Sequence, residues 1–390
     1  MKILAIETSC DDTGIAVLQR KNNRFAVRSN IVSSQAIHQN YGGVFPMMAK
    51  REHQKNLVPV LTQALREAKL LQPLSIKKEI GKKELLTIKK ILAKEEHLLP
   101  LVVDFLQTYK KPLVDSLAVT YGPGLEPCLW VGINFARVLS FYWDIPLIPV
   151  NHIEAHILVN FLNRPEVTFP ALALVVSGGH TQLILMKKIG AYEIIGETRD
   201  DAAGECFDKA AKILGLGYPG GPIISNIASQ ITQSPILLPR PMISSHDYDF
   251  SFSGLKTAVL YKVRETSEKE RKSKDFIANM CFAVQDSIID VLLKKTFAAA
   301  KNYNIKIPTA KPSKILDSKA IGTIILGGGV SANQELKKQF TATTKENNLA
   351  LLYPESKLST DNGLMIAVAA YFRPKKIAWQ KLSANANLRT

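Results

Sequence analysis

Cysteine is scarce: Cys10, Cys128, Cys206 and Cys281 are the four in 390 residues, scattered and without a CxxC pair. That spacing excludes a disulfide scaffold and a cysteine zinc site, and it fits a reduced compartment. No run approaches eighteen uninterrupted apolar residues, so neither a membrane-spanning helix nor a membrane partner is expected. The opening Met1-Lys-Ile-Leu-Ala-Ile6 enters a strand at once without a signal-peptide pattern, and the expected location is cytoplasmic. Acids are in deficit, with 34 Asp and Glu against 50 Lys and Arg, a net charge of +16. This favours a polyanionic partner, nucleic acid first, although lysine-rich solvated helices would give the same number.

What is present is enough apolar material, 46% of residues, for a packed core, in a chain long enough for two domains. The stretch Lys2 to Leu18 reads as strand, polar turn and strand, with Asp11, Asp12, Thr13 and Gly14 supplying the turn. The same template recurs at Ala171 to Met186, with Ser177 to Thr181 as the turn. Two such openings, each followed by further strands and helices, predict an α/β chain with an internally duplicated architecture. That is the two-lobed layout of the actin-like, sugar-kinase and Hsp70 class, with RNase H-like lobes around a nucleotide cleft. The expected lobes are 1–158 and 159–390, the last helix packing back on the first. Pro46 to Lys69 reads as a helix. Ile76, Ile80, Leu85, Ile88 and Leu92, with lysines between, predict a solvent-exposed amphipathic insertion within 72–112.

Several stretches carry possible chemistry. In Asn151-His-Ile-Glu-Ala-His156, a helix starting near His152 stacks His152 and His156 on one face, where they can share a cation if a third ligand arrives. A hydrogen-bonded histidine pair accounts for the spacing equally well. Thr360-Asp-Asn before an apolar run reads as a helix cap, or makes Asp361 the third ligand. A metalloprotease needs HExxH, whereas Glu154 sits two residues after His152 and turns away. Asp200, Asp201, Glu205 and Asp208 exceed what a solvated helix start needs. Gly220 and Gly221 let a ligand press close to backbone. Gly327-Gly-Gly-Val-Ser-Ala-Asn333 permits nucleotide approach but is not a dinucleotide fingerprint followed by a ribose-binding acid.

In order along the chain come Ile6-Glu-Thr-Ser-Cys-Asp-Asp-Thr-Gly14, Tyr41-Gly-Gly-Val44, His152-Ile-Glu-Ala-His156, Val176-Ser-Gly-Gly-His-Thr-Gln182, Ala203-Gly-Glu-Cys-Phe-Asp-Lys209, Tyr218-Pro-Gly-Gly-Pro222, Phe250-Ser-Phe-Ser-Gly-Leu-Lys256, Gly328-Gly-Val-Ser-Ala-Asn333 and Thr360-Asp-Asn-Gly363. Together they resemble the TsaD family, once called glycoproteases, which transfers threonylcarbamoyl to tRNA adenosine. The resemblance covers nearly all the chain apart from 72–112. It implies transfer from threonylcarbamoyl-adenylate to the exocyclic amine of the adenosine 3′ of the anticodon, in tRNAs reading codons that begin with A. It implies that His152, His156 and Asp361 bind one iron or zinc ion. Val176, Ser177, Gly178, Gly179, His180, Asp208, Gly221 and Asn333 would hold the adenylate. Asp11, ahead of Asp12, would be the general base, and TsaB and TsaE would be the partners. Where the family usually has Pro-Glu, this chain has Pro46-Met47. The rival activities are an ATPase or small-molecule kinase of the same fold, and a non-catalytic tRNA-binding protein.

Overall fold

The computed structural model describes residues 1–21, 24–162, 167–303, 305 and 322–390. They divide into two units: Met1–Ile37 with Val44–Asn163 and Asp361–Thr390, and His38–Gly43 with Arg164–Thr360.

In the first unit, β1 (Lys2–Glu7), β2 (Asp12–Lys21) and β3 (Arg24–Ser34) form an antiparallel meander. β4 (Ser116–Gly122) and β5 (Leu147–Asn151) add in parallel, giving the order β3-β2-β1-β4-β5. Ile3 to Ile6 are buried on both faces of β1, the pattern of a strand covered from two sides by helices. α1 (Pro46–Glu67) begins with a proline, whose fixed φ suits a first helical residue. Ala49, Leu57, Val60, Leu61, Ala64 and Leu65 recur at three- and four-residue steps and form its buried stripe.

The lysine-rich stretch forms α2 (Lys82–Ile91), amphipathic as expected with its lysines exposed, and a second helix, α3 (Leu98–Thr108); its apolar side is anchored in the core. Ile88, Ile91 and Leu92 pack in one cluster with Leu98, Val102, Phe105, Leu57 and Leu61. Three- and four-residue spacing puts them on one side of the helix, where each buried isoleucine or leucine contributes about 1.5–3 kcal/mol. Ile76, outside that helix, is exposed. α4 (Glu126–Trp143) and the short α5 (His152–Leu158) complete this part of the unit.

The second unit repeats the plan. β6 (Ala171–Val176), β7 (Thr181–Lys188) and β8 (Ala191–Glu197) form a meander, and β9 (Thr323–Gly327) and β10 (Ala350–Leu352) add in parallel. The order β8-β7-β6-β9-β10 matches the first sheet strand for strand, as the repeated sequence template predicts. Its helices are α6 (Ala203–Ile213), α7 (Gly220–Ala228), α8 (Ser253–Glu265), the one-turn α9 (Glu268–Arg271), α10 (Lys274–Asn302), α11 (Gln334–Glu346) and the one-turn α12 (Ser356–Ser359). Among the described residues, α10 is the one helix with the length and hydropathy to cross a membrane. Met280, Val284, Ile288, Val291 and Leu292 along it are instead buried in this unit's core.

The chain then returns to the first unit as α13 (Gly363–Phe372), which lies against β1, β2 and α5. The approach is close enough to require glycine on both sides. A Cβ on Gly14 would sit 2.6 Å from the Gly363 nitrogen, and one on Gly363 would sit 2.5 Å from the Ala16 nitrogen. That contact sets the start of α13 beside the first hairpin.

Candidate functional site

Asn151 closes β5 and starts α5, because its side-chain oxygen accepts the N–H groups of Ile153 (2.8 Å) and Glu154 (3.1 Å). The cap places His152 first in the helix and His156 one turn later, both buried. At the other end of the chain, Asn362 caps α13 by accepting the Met365 N–H at 3.1 Å. The capping role open to Asp361 in the sequence thus falls to its neighbour, and the Asp361 carboxylate turns to the histidines. Its Oδ1 lies 3.1 Å from His156 Nε2 and 3.6 Å from His152 Nε2. One ligand atom from each of the three residues lies within 4.8 Å of the others.

Behind this cluster stand two residues that sequence reasoning did not single out. Fully buried Glu7 and Ser9 meet His152 Nδ1 at 3.3 and 3.1 Å. Glu7 also accepts from the Ser9 N–H and the Thr120 hydroxyl. A carboxylate on Nδ1 favours the tautomer that leaves the Nε2 lone pair facing Asp361. Two imidazole nitrogens and a carboxylate, with a second carboxylate behind one ring, form a donor set suited to a divalent transition ion.

The electrostatics agree with that fit. Burial pulls the His152 pKa down, but Asp361 and Glu7 outweigh it and lift the value to about 9. Burial, then Asp361, pushes Asp12 up to about 7. The field here therefore favours added positive charge, whether a proton or a metal cation. Among the described residues, His156 Nδ1 is buried without a hydrogen-bond partner.

Asp11 ends the turn between β1 and β2, and Asp12 is the first residue of β2. His53 of α1, also missed, brackets them: its Nε2–H donates to the Cys10 carbonyl at 2.9 Å, and its Nδ1 accepts from the Thr13 hydroxyl at 2.8 Å. A charged residue closing an apolar strand marks Glu7 in the sequence, and a histidine on a buried helix stripe marks His53. Neither signal identifies its partner. Glu154 pairs with Arg373 at 3.3 Å, which removes it from the role of a protease base. Met47 is exposed at the second residue of α1.

In the second unit, Val176 ends β6. Ser177 to His180 turn back through Ser177 N–H to the His180 carbonyl (2.8 Å) and His180 N–H to Ser177 Oγ (3.1 Å). Gly178 and Gly179 are exposed, with open space where a Cβ would project. The glycine turn after β9 passes directly under this one: Gly328, at φ 84°, would drive a Cβ to 2.4 Å from the Val176 carbonyl. The two turns therefore meet at the carboxyl ends of β6 and β9, where parallel sheets commonly take ligands. Asp208 accepts the Gly220 N–H at 2.7 Å and so lies beside Gly221 at the start of α7. Asn333 caps α11 through Leu336 N–H (3.0 Å) and donates to Gln285 at 2.8 Å. The other acids of this region have structural work. Asp200 accepts from Ser251, Phe252 and Ser253, while Asp201 and Glu205 pair with Lys209.

These features define a class: an enzyme-like, duplicated α/β chain with a buried His-His-Asp cation site in one unit and glycine turns at parallel strand ends in the other. Comparison with known proteins narrows it. The family model described as TsaD, tRNA N6-adenosine threonylcarbamoyltransferase, matches residues 26–74 and 92–368. A Syntrophomonas wolfei protein of that description is 38% identical over 98% of this chain and 96% of its own length. One from Desulfitobacterium hafniense is 40% identical over 96% and 92%. Full-length HypF, in a phosphate- and nucleotide-bound form, matches in fold alone, with TM-score 0.51 and 10% identity over 99% of this chain and 47% of that one. The chain belongs to the TsaD family and is a transferase of the tRNA N6-adenosine threonylcarbamoyltransferase group with the actin-like fold.

Proposed function

We propose that the chain transfers threonylcarbamoyl from threonylcarbamoyl-adenylate to the exocyclic amine of the adenosine 3′ of the anticodon, in tRNAs reading A-starting codons. The observation that carries this reading is the convergence of His152, His156 and Asp361, backed by Glu7 and Ser9, in a chain of this family. His152, His156 and Asp361 hold one iron or zinc ion, which when bound supplies Lewis-acid polarisation of the carbamoyl carbonyl. Glu7 holds the His152 ring by its Nδ1–H and so keeps Nε2 oriented.

The amine nitrogen attacks the carbamoyl carbon, the carbon–oxygen bond to the phosphate breaks, and AMP departs. The amine proton passes to a carboxylate of the β1–β2 turn. Asp11 is the carboxylate proposed to take it, with Asp12 beside it. Val176, Ser177, Gly178, Gly179 and His180 hold the adenylate, with the exposed backbone of Gly178 and Gly179 facing its phosphate. Asp208, Gly221 and Asn333 complete its grip, Asn333 with the amide hydrogen that Gln285 does not take. An anticodon-loop base is unstacked more cheaply than a base in a duplex, which suits the acceptor. TsaB and TsaE are the proposed partners, in the cytoplasm.

The test supplies the chain, tRNA, threonylcarbamoyl-adenylate and both partners, with mass spectrometry of the adenosine. Threonylcarbamoylated adenosine is the expected product. Phosphoryl transfer to a small substrate without tRNA modification would replace this reading with the kinase one.

A further inference from the structure

The matched family segments break off between residues 74 and 92, and the residues between them are chemically lopsided: six lysines against two glutamates in 75–91. α2 sorts these residues by side. Ile88 and Ile91 are buried in the core, whereas Lys82, Lys83, Lys89 and Lys90 are all exposed. Lys82 and Lys89 are seven residues apart, as are Lys83 and Lys90, so each pair falls on the same side of the helix, separated by about 10 Å along its axis. The four ammoniums therefore form one face, opposite the side that anchors the helix.

Three features set this face apart from an ordinary solvated one. Glu84, the acid within α2, accepts the Gly81 N–H at 3.0 Å and serves as a cap. No acid lies three or four residues from Lys89 or Lys90 within α2, so the mutual repulsion of the lysines is left largely uncompensated. Leu86, amid the lysines, is 70% exposed. A surface selected only for solubility mixes charges of both signs. One bare leucine is too little for insertion into lipid, which needs a broad apolar face.

The insertion also joins the neighbourhood of the candidate site. Lys50 of α1 donates to the Lys94 carbonyl at 3.0 Å and pairs with buried Glu95 at 3.1 Å. Glu95 is further held by Gln54 and by Asn134 of α4. His53, which brackets Asp11 and Asp12, is three residues from Lys50, less than one helical turn. The insertion is thus fixed to the helix that holds the β1–β2 turn.

We infer that the lysine face of α2 is an RNA-backbone docking surface, contacting phosphates of the tRNA whose base reaches the site. This rests on the tRNA reading above. The lysines neutralise phosphates without reading sequence, and Leu86 offers contact to a sugar or base edge.

The test compares the full chain with K82E/K83E/K89E/K90E and with the milder four-glutamine variant, each checked for unchanged melting temperature and bound metal. tRNA affinity is measured from 50 to 200 mM KCl. The slope of log affinity against log salt is expected to become shallower by about 2–3, with at least about tenfold weaker binding at 100 mM. The rate at saturating tRNA should stay constant while KM rises. Unchanged slope and affinity in both variants overturn the inference. So does loss of binding to phosphatidylserine vesicles with tRNA binding intact. If the wild-type chain modifies tRNA and only these results fail, the proposed function survives. If the wild-type chain neither binds nor modifies tRNA, both fall.

Discussion

The two hairpin turns occupy equivalent places in two sheets of the same order, yet they are built for opposite purposes. In the first unit the turn after β1 is wired into the core: Thr8 and Ser9 are buried, Glu7 and Ser9 reach His152, and His53 grips Cys10 and Thr13. In the second unit the turn after β6 closes through two hydrogen bonds of its own, takes one more from the Gly204 N–H to the Ser177 carbonyl, and leaves Gly178 and Gly179 in open space. A duplicated fold supplies the positions, and the neighbours of each turn decide its chemistry. A buried, multiply bonded turn can preserve a cation geometry. An exposed glycine turn can close on a ligand with backbone donors.

The sharpest way to break this contrast is His156→Ala. It removes one donor from a site worth several kcal/mol of transition-state stabilisation. Bound metal should be lost and product formation should fall by on the order of 10³-fold. Full activity with full metal content would show that the rigid turn serves something else. Glu7→Gln keeps the size but loses the charge behind His152. The expectation is about 10–100-fold weaker metal binding, read by chelator competition, with the fold intact. Equal affinity would mean that the backing carboxylate only fills space.

The pH dependence of the metal-free chain probes the same region. Asp12 ionises near 3.8 when unfolded and near 7 when folded, so folding takes up a proton between those values. Stability from this group therefore falls as pH rises from about 4 to 7. His152 adds a contribution that is complete below 6.5 and fades as pH passes about 9. Asp12→Asn should flatten the lower part of a melting-temperature profile and leave the upper part. An unaltered lower limb would remove Asp12 from the account. The smallest effects come from matched glycines. Gly14→Ala should cost about 1–3 kcal/mol by forcing α13 off β2. Gly178→Ala should stay within about 0.5 kcal/mol in stability, its effect confined to adenylate affinity. Denaturant midpoints for the pair check this, and equal costs would erase the distinction between the turns.

Much of this was legible in residue order alone. The repeated strand-turn-strand template gave two sheets of one topology, and the apolar period of α1 gave its buried stripe. Local patterns were weaker where one residue type serves two purposes. The excess of acids at Asp200 to Asp208 looked like a ligand signal, yet Asp200, Asp201 and Glu205 bind serines and Lys209. Thr360-Asp-Asn left Asp361 as either cap or ligand, and the Met365 N–H donated to Asn362 shows that its neighbour takes the capping role. The insertion's lysines are exposed as its amphipathic pattern implied, while Ile88, Ile91 and Leu92 anchor it.

By itself the sequence determined the alternation of strands and helices, the doubled plan and the identity of His152 and His156 as a stacked pair. These follow from periodicity and short-range spacing, which act along the chain. Tertiary structure alone decided that Asp361, 205 residues beyond His156, completes the cluster, and that Glu7 stands behind His152. Such pairings depend on which buried groups find a partner once water is excluded, and linear spacing carries no record of that.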